Sequence, residues 1–307
     1  MKKFNKKTMS IHGEEYDELL QKEIDVWSNY REGEDSVINF HELKKTHAYL
    51  TYRKGTVEVE LDYIKNCGPD ISVLELGSAD GWLSNEILDL ENVKSVTSID
   101  ISLEKNREKY NEKSYAIRGD LNKIEKIEFH EQYDCIITHG TLHHLVDPRK
   151  TLLFCINSLL KKNGLIIIND TWTLRWPQLS VNAFFYAFFN QLPHAILRLD
   201  IQEIGKLLFY KLPRIIIDKH YAASIAHAHH VSPFESISSA DDYKDLYKRD
   251  DMKILHFENL AALPGLQNSW MSSPVFVKKI IQTLDTFLLK TKILSGDYHV
   301  CVLKKIH

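Results

Sequence analysis

Val73-Leu74-Glu75-Leu76-Gly77-Ser78-Ala79-Asp80-Gly81 decides the fold. An apolar run closed by two nearby glycines is a buried strand leaving its sheet through a tight turn into a helix. Glycine is scarce in this chain, 12 in 307 residues, about 4 % against a usual ~7 %, so two in one turn mark a place where the backbone demands them. Outward from the turn, ADGWLSNEILDL (79–90) has helical spacing, SVTSIDIS (95–102) reads as a strand and LEKNREKYNEK (103–113) as a charged helix. SYAIRGD (114–120) and YDCIITHG (133–140) are further strands. PRKTLLFCINSLLKK (148–162) is an amphipathic helix stopped by Asn163-Gly164, and GLIIINDTW (164–172) is a fifth strand. Near-continuous apolar strands alternating with helices predict a parallel α/β sheet covered on both faces.

The rhythm breaks after Trp172. In VNAFFYAFFNQL the apolar residues Val181, Phe184, Phe185, Phe188, Phe189 and Leu192 follow helical spacing. Residues 198–220 continue as helix, broken at Pro213, and 238–250 read as a helix capped by Ser239 with Asp242 three residues on. MKILHFEN (252–259) and DYHVCVLKK (297–305) are strands around a helix that opens at Ser273-Pro274 and runs to about residue 290. The domain organisation expected is a helical arm or lid at 1–54, a core at 55–174 and 241–307, and a helical, acceptor-binding cap at 175–240.

The ligand follows from the acids. A dinucleotide turn wants glycine at the second position, where this chain has Ala79, and a carboxylate at Glu75 repels pyrophosphate while attracting an ammonium group. Glu75 is expected to point into the cleft mouth. Asp100, at the end of the next strand, can accept both hydroxyls of a ribose. Asp120 after the third strand can accept from an exocyclic amine such as adenine N6. Ammonium, ribose diol and adenine amine together describe S-adenosyl-L-methionine.

The segments VLELGSADG, SIDIS, GDL, YDCIITHGTLHHLVDPRKTL and SLLKKNGLIIIND resemble the class I S-adenosylmethionine-dependent methyltransferases, particularly the small-molecule and quinone-biosynthesis group. The resemblance is good over about a third of the chain. It departs at Ala79, in place of the middle glycine, and at Asn163-Gly164, in place of Pro-Gly or Gly-Gly. It implies a doubly wound, mostly parallel, seven-stranded Rossmann-like sheet with an antiparallel last strand. It also implies that Glu75, Gly77, Ser78 and Gly81 hold the methionine portion, Asp100 with Ile101 the ribose, and Asp120 with Leu121 the adenine. His139 falls where the methionine end meets the acceptor, and Arg53 is a candidate partner for the methionine carboxylate.

Methyl transfer from a sulfonium needs alignment in a dry pocket, and a hydroxyl acceptor also needs a base. Histidine suits that role, and His139, His143 and His229 are the candidates. The LHHL stretch carrying His143 and His144 has an alternative reading as packing or capping. His220, His227, His229 and His230 fall in one segment that has no Cys and no Asp after the histidines, so no metal site is expected there. That segment reads either as acceptor pocket or as a polar loop.

A net charge of −3 and a pI near 6.6 build no field for nucleic acid. Cys67, Cys135, Cys155 and Cys301 show no metal or disulfide spacing, and the basic N-terminus lacks an apolar run, so a reduced, cytoplasmic enzyme is expected. No spanning segment is expected, although the aromatic helices at 179–217 leave peripheral membrane contact open. The expected partner is a small-molecule or lipid-like methyl acceptor, most plausibly reacting at oxygen. The rival functions are a nicotinamide-dependent oxidoreductase and a non-catalytic S-adenosylmethionine-binding protein.

Overall fold

A computed structural model describes residues 14–32, 55–79, 81–102, 113–171, 198–218, 243–260, 275–291 and 298–307, with isolated positions between 180 and 196 and at 221. Helix α1 (Glu14–Glu32) precedes α2 (Val57–Lys65) and β1 (Ile71–Leu76). Then come α3 (Trp82–Leu88), β2 (Val93–Asp100), β3 (Ser114–Arg118) and β4 (Tyr133–His139). Helix α4 (Pro148–Phe154) leads to β5 (Leu160–Thr171), followed by α5 (Ile201–Lys206), α6 (Leu212–Ile217), β6 (Met252–Leu260), α7 (Val275–Lys290) and β7 (Tyr298–Lys305).

The strands form one seven-stranded sheet in the order β3-β2-β1-β4-β5-β7-β6. Neighbours from β3 to β5 pair in parallel, and β7 runs antiparallel to both β5 and β6. Alternation along the strands explains two cores. Leu74 and Leu76 point with Ile136, Ile166 and Ile168 toward Leu152, Ile156 and Leu159 of the α4 region. Ile71 and Val73 point with Cys135, Ile137 and Ile167 toward Val57 and Ile64 of α2 and Leu83 and Ile87 of α3. The sheet is therefore covered on both faces, as its apolar strands require.

Two local expectations are corrected. The helix read over 148–162 ends early: α4 widens into a π-turn at Cys155–Leu159, and Leu160 already pairs with Tyr133 of β4. Gly164 has no room for a side chain, because a Cβ would stand 2.9 Å from Lys161 O and 3.0 Å from Asp134 O. Pro213 does not break its helix. A π-turn at Leu207–Lys211 joins α5 to α6, and Pro213 sits in the first turn of α6, where its missing N–H costs little. The 238–250 helix is described only as a 3-10 turn at Lys244–Lys248, and Ser239 and Asp242 lie outside the described residues.

Among its described residues, the turn after β1 holds three at positive φ: Gly77 at 75°, Ala79 at 46° and Gly81 at 76°. A Cβ on Gly77 would lie 2.1 Å from Thr141 Oγ1, so both the conformation and the space exclude a side chain. Ala79 is the strained member, and its N–H donates to Asp100 Oδ2 at 2.9 Å. The two positions should respond with opposite signs in urea unfolding. Gly77→Ala should cost about 2–4 kcal/mol, while Ala79→Gly should gain about 0.5–1 kcal/mol. Equal losses would show that the strain does not sit at residue 79.

Candidate functional site

The C-terminal ends of the parallel strands bring the acids and histidines to one edge of the sheet. Asp100 ends β2 and bonds inward. Its Oδ2 takes the Ala79 N–H, and its Oδ1 takes the Ser102 N–H at 2.8 Å and the Ser102 hydroxyl at 2.5 Å. Ile101 follows it, half-buried. Ser78, inside the glycine turn, is buried, and its Oγ has no hydrogen-bond partner among the described residues. A buried hydroxyl without a partner is costly and marks a place for an incoming polar group.

Glu75 does not stand at the cleft mouth. It is 2 % exposed and accepts from Ser84 Oγ of α3, which itself lies 2.6 Å from Ser98 Oγ of β2. A strand residue two before the turn points into the packed α3 layer, which explains the difference. Burial drives its carboxyl up from 4.5 to about 7, against the opposing effects of Ser84 and His139.

Asp120 follows β3 and caps a 3-10 turn at Leu121–Lys126, accepting from Asn122 N at 2.9 Å. Its other oxygen accepts from the Tyr16 hydroxyl of α1 at 2.5 Å, and Lys123 Nζ lies over the Tyr16 ring at 4.3 Å. Leu121 is buried beneath. Burial and the Asp120 carboxylate push the Tyr16 phenol above its ordinary range.

Two histidine–carboxylate pairs occupy the ends of β4 and β5. His139 Nδ1 lies 3.0 Å from Glu60 Oε1 of α2, and Asn169 Nδ2 donates to the same oxygen at 2.8 Å. The Trp82 ring meets His139 edge-on at 5.4 Å. Burial works against the imidazolium, but Glu60, Glu75 and Asp170 together carry the His139 pKa above its ordinary value. Four residues on, in the 3-10 turn Leu142–His144, His143 Nδ1 lies 2.7 Å from Asp170 Oδ1. Asp170 Oδ2 takes the Leu142 N–H at 2.6 Å. His144 stacks on His143 with ring centroids 4.0 Å apart, and its Nδ1 lies 3.4 Å from the buried Glu23 carboxylate of α1. Burial first, and His143 second, lower the His144 pKa. Behind Asp170, on β7, burial takes His299 down to about 4, and Tyr247 Oη lies 2.7 Å from His299 Nε2.

The structure thus gathers Glu75, Gly77, Ser78, Gly81, Asp100, Ile101, Asp120, Leu121, His139 and His143 at the ends of β1 to β4 and in the turns that follow them. Arg53 and His229, with His220, His227 and His230, lie outside the described residues. Sequence reasoning missed Glu60, Asn169, Asp170, Tyr16 and Glu23. Glu60 had a signal: it interrupts the apolar stripe of Val57 and Ile64 on α2. Asn169-Asp170 had another, two polar residues closing an isoleucine run at a strand end.

A seven-stranded α/β sheet with this strand order, an antiparallel β7 and a glycine turn after β1 is the architecture of class I S-adenosylmethionine-dependent methyltransferases. A family model described as a methyltransferase domain matches residues 49–232, and the chain belongs to that family. It is an S-adenosylmethionine-dependent methyltransferase. No curated protein matches the sequence. Among solved structures, the chain is similar to the plantazolicin methyltransferase BpumL bound to a monoazolic desmethyl-plantazolicin analogue and S-adenosylhomocysteine. The identity is 15 %, the TM-score 0.46, and the match covers 95 % of this chain and 97 % of that one. The plantazolicin methyltransferase BamL is similar at 14 % identity and TM-score 0.47, with 94 % and 97 % covered. A Galdieria sulphuraria protein described as a sarcosine dimethylglycine methyltransferase gives 15 % and 0.46, with 81 % and 83 % covered.

Glu75 makes stability depend on pH. The unfolded chain releases its proton near 4.5 and the folded chain near 7. The group's contribution is therefore fully present below pH 4.5 and is lost as pH rises through about 7, a loss of about 3 kcal/mol. Urea unfolding at about pH 5 and about pH 8 should show that Glu75→Gln removes most of this fall relative to the unsubstituted protein. An unchanged slope would place the proton on another group.

Proposed function

We propose that the chain moves the methyl group of S-adenosylmethionine to an oxygen nucleophile on a small or amphipathic acceptor, with His143 as the general base. The observation that carries this reading is the 2.7 Å contact between His143 Nδ1 and Asp170 Oδ1. Asp170 is fully buried and held in place by the Leu142 N–H. A buried carboxylate on Nδ1 selects the tautomer with the proton there and puts the basic lone pair on Nε2. His143 then takes the proton of the acceptor hydroxyl, and Asp170 stabilises the resulting imidazolium. His139 is the poorer base. Glu60, Glu75 and Asp170 raise its pKa against the effect of burial, which favours the charged ring and suits it to holding a group in place.

The donor set fits the cofactor. When bound, S-adenosylmethionine supplies an activated methyl group on its sulfonium. Ser78 Oγ offers the partnerless hydroxyl for the methionine portion, beside Gly77 and Gly81. Glu75 contributes from below the turn, holding α3 through Ser84. Asp100 and Ile101 take the ribose, Asp120 and Leu121 the adenine, and His139 the junction with the acceptor. Arg53 is proposed for the methionine carboxylate and His229 for the acceptor side, both on sequence grounds alone.

Labelled S-adenosylmethionine and fractionated cell extract test the reading. His143→Gln should lower methyl incorporation about 10²–10⁴-fold while S-adenosylhomocysteine affinity by calorimetry stays within about threefold. Undiminished incorporation by the variant would remove His143 as the base.

A further inference from the structure

Cys301 and Leu303 fill the side of β7 that packs toward the α4 region, and two residues earlier the same column carries His299. All three are fully buried. An aliphatic side chain would fill that place without stripping water from two ring nitrogens, so packing alone does not explain a histidine there.

Tyr247 Oη lies 2.7 Å from His299 Nε2, and the rings of Tyr243, Tyr247 and Phe257 stand 6.3, 6.0 and 6.1 Å from the imidazole, centroid to centroid. Across the strand pair His299 is directly opposite Asp170 of β5. Opposed residues of an antiparallel pair share a face, with Cβ atoms about 4.5–5.5 Å apart. The imidazole therefore lies beside the residue whose carboxylate meets His143 Nδ1 at 2.7 Å and the Leu142 N–H at 2.6 Å. Tyr247, His299, Asp170 and His143 thus follow one another from the 3-10 turn at Lys244–Lys248 to the one at Leu142–His144, and the first three are buried.

Burial sets the protonation along this series. It holds the Tyr247 phenol well above its ordinary range, so the group stays a hydroxyl and can donate to Nε2. At His299 it outweighs the charge and the carbonyl of Asp170 and takes the ring down to about 4, which leaves a neutral imidazole. With Nε2 accepting from Tyr247, the one ring proton belongs on Nδ1. A neutral N–H beside a buried carboxylate stabilises the anion and leaves its charge in place, whereas a cation would cancel it.

We propose that His299 is a positioning residue for methyl transfer. Tyr247 fixes its tautomer, and the ring directs its Nδ1–H at Asp170, holding that residue in the orientation that fixes the His143 tautomer. Both residues act through Asp170, a role that rests on His143 being the general base.

Nitrogen-15 NMR of histidine-labelled full chain bound to S-adenosylhomocysteine, at about pH 8 where an ordinary imidazole is neutral, reads the His143 tautomer. Its signals are assigned by their loss in His143→Gln. The unsubstituted protein should carry the proton on Nδ1. His299→Phe should move His143 toward the Nε2–H tautomer and lower methyl incorporation about tenfold or more, with S-adenosylhomocysteine affinity within about threefold. His299→Asn, whose amide N–H stands near the place of Nδ1, should restore incorporation to within about threefold of the unsubstituted level. A His143 tautomer unmoved by His299→Phe overturns the proposal. So does His299→Asn as impaired as His299→Phe, which would assign the ring to packing. Where His299→Phe does not fold, Tyr247→Phe, which removes one hydroxyl, decides by the same spectrum: a shift toward Nε2–H supports the series and an unmoved tautomer overturns it. The spectrum needs no acceptor. An active His143→Gln enzyme, which defeats the base, is therefore distinguishable from a tautomer indifferent to His299, which defeats the positioning.

Discussion

The exits of β1 and β4 touch, and the site depends on that contact. Gly77 turns the chain at positive φ directly against Thr141, at a separation that leaves no volume for a methyl group. Thr141 stands between His139 and His143, so whatever fixes the glycine turn also fixes the distance from that turn to both histidines. Its one hydroxyl proton is shared between Gly77 O at 3.4 Å and His139 O at 3.3 Å, which ties the two exits together. The exit of β1 and the two histidines are thereby held at a fixed separation. Such alignment is most of what methyl transfer asks of a protein.

The second constraint is electrostatic. Glu23, Glu60, Glu75 and Asp170 are all nearly or fully buried near one edge of the sheet. Buried carboxylates are tolerated only with partners, and here each has one: His144, His139 with Asn169, Ser84, and His143 with a backbone N–H. The partners differ in what they let the histidines do. The carboxylates around His139 outweigh its burial and raise its pKa, whereas burial and the neighbouring ring lower that of His144. Two histidines at the exit of β4 are thus shifted in opposite directions, the kind of divergence acid–base chemistry uses.

The fold was largely legible because the strands carry it. A strand buried on both faces must be apolar along its length, and the glycine turn follows from steric limits that any sequence must obey. Position was legible where a residue sits at or just past its own strand end, as with Asp100, Asp120 and His139. It was illegible where the partner comes from far along the chain. Tyr16 reaches Asp120 across 104 residues, and Glu60 reaches His139 across 79. No local period encodes either contact. The direction of Glu75 was missed for a related reason: the acid was assigned to the ligand from its place near the turn, while strand alternation sends it under α3 to Ser84. Pro213 was read as a break because propensity knows only the α-helical spacing, and the π-turn before it supplies another.

Four described residues other than glycine take positive φ, Asp70, Ala79, Asn163 and Leu199; aspartate and asparagine tolerate it most easily, which leaves Ala79 and Leu199 as the costly ones. Ala79 takes a left-handed conformation where glycine is easier, and it does so to give its N–H to Asp100. A glycine there would relieve the strain but would loosen the loop that presents the Asp100 carboxylate, so strain and positioning are two sides of one choice. Leu199 takes the same conformation to close a helix end: the Leu199 N–H donates to Ile196 O at 2.9 Å and the Asp200 N–H to Ala195 O at 3.0 Å. Strain that ties two strand exits together and strain that closes a helix end have different physical causes. The first is repaid by the Ala79–Asp100 hydrogen bond, the second by the two backbone hydrogen bonds that end the helix before α5.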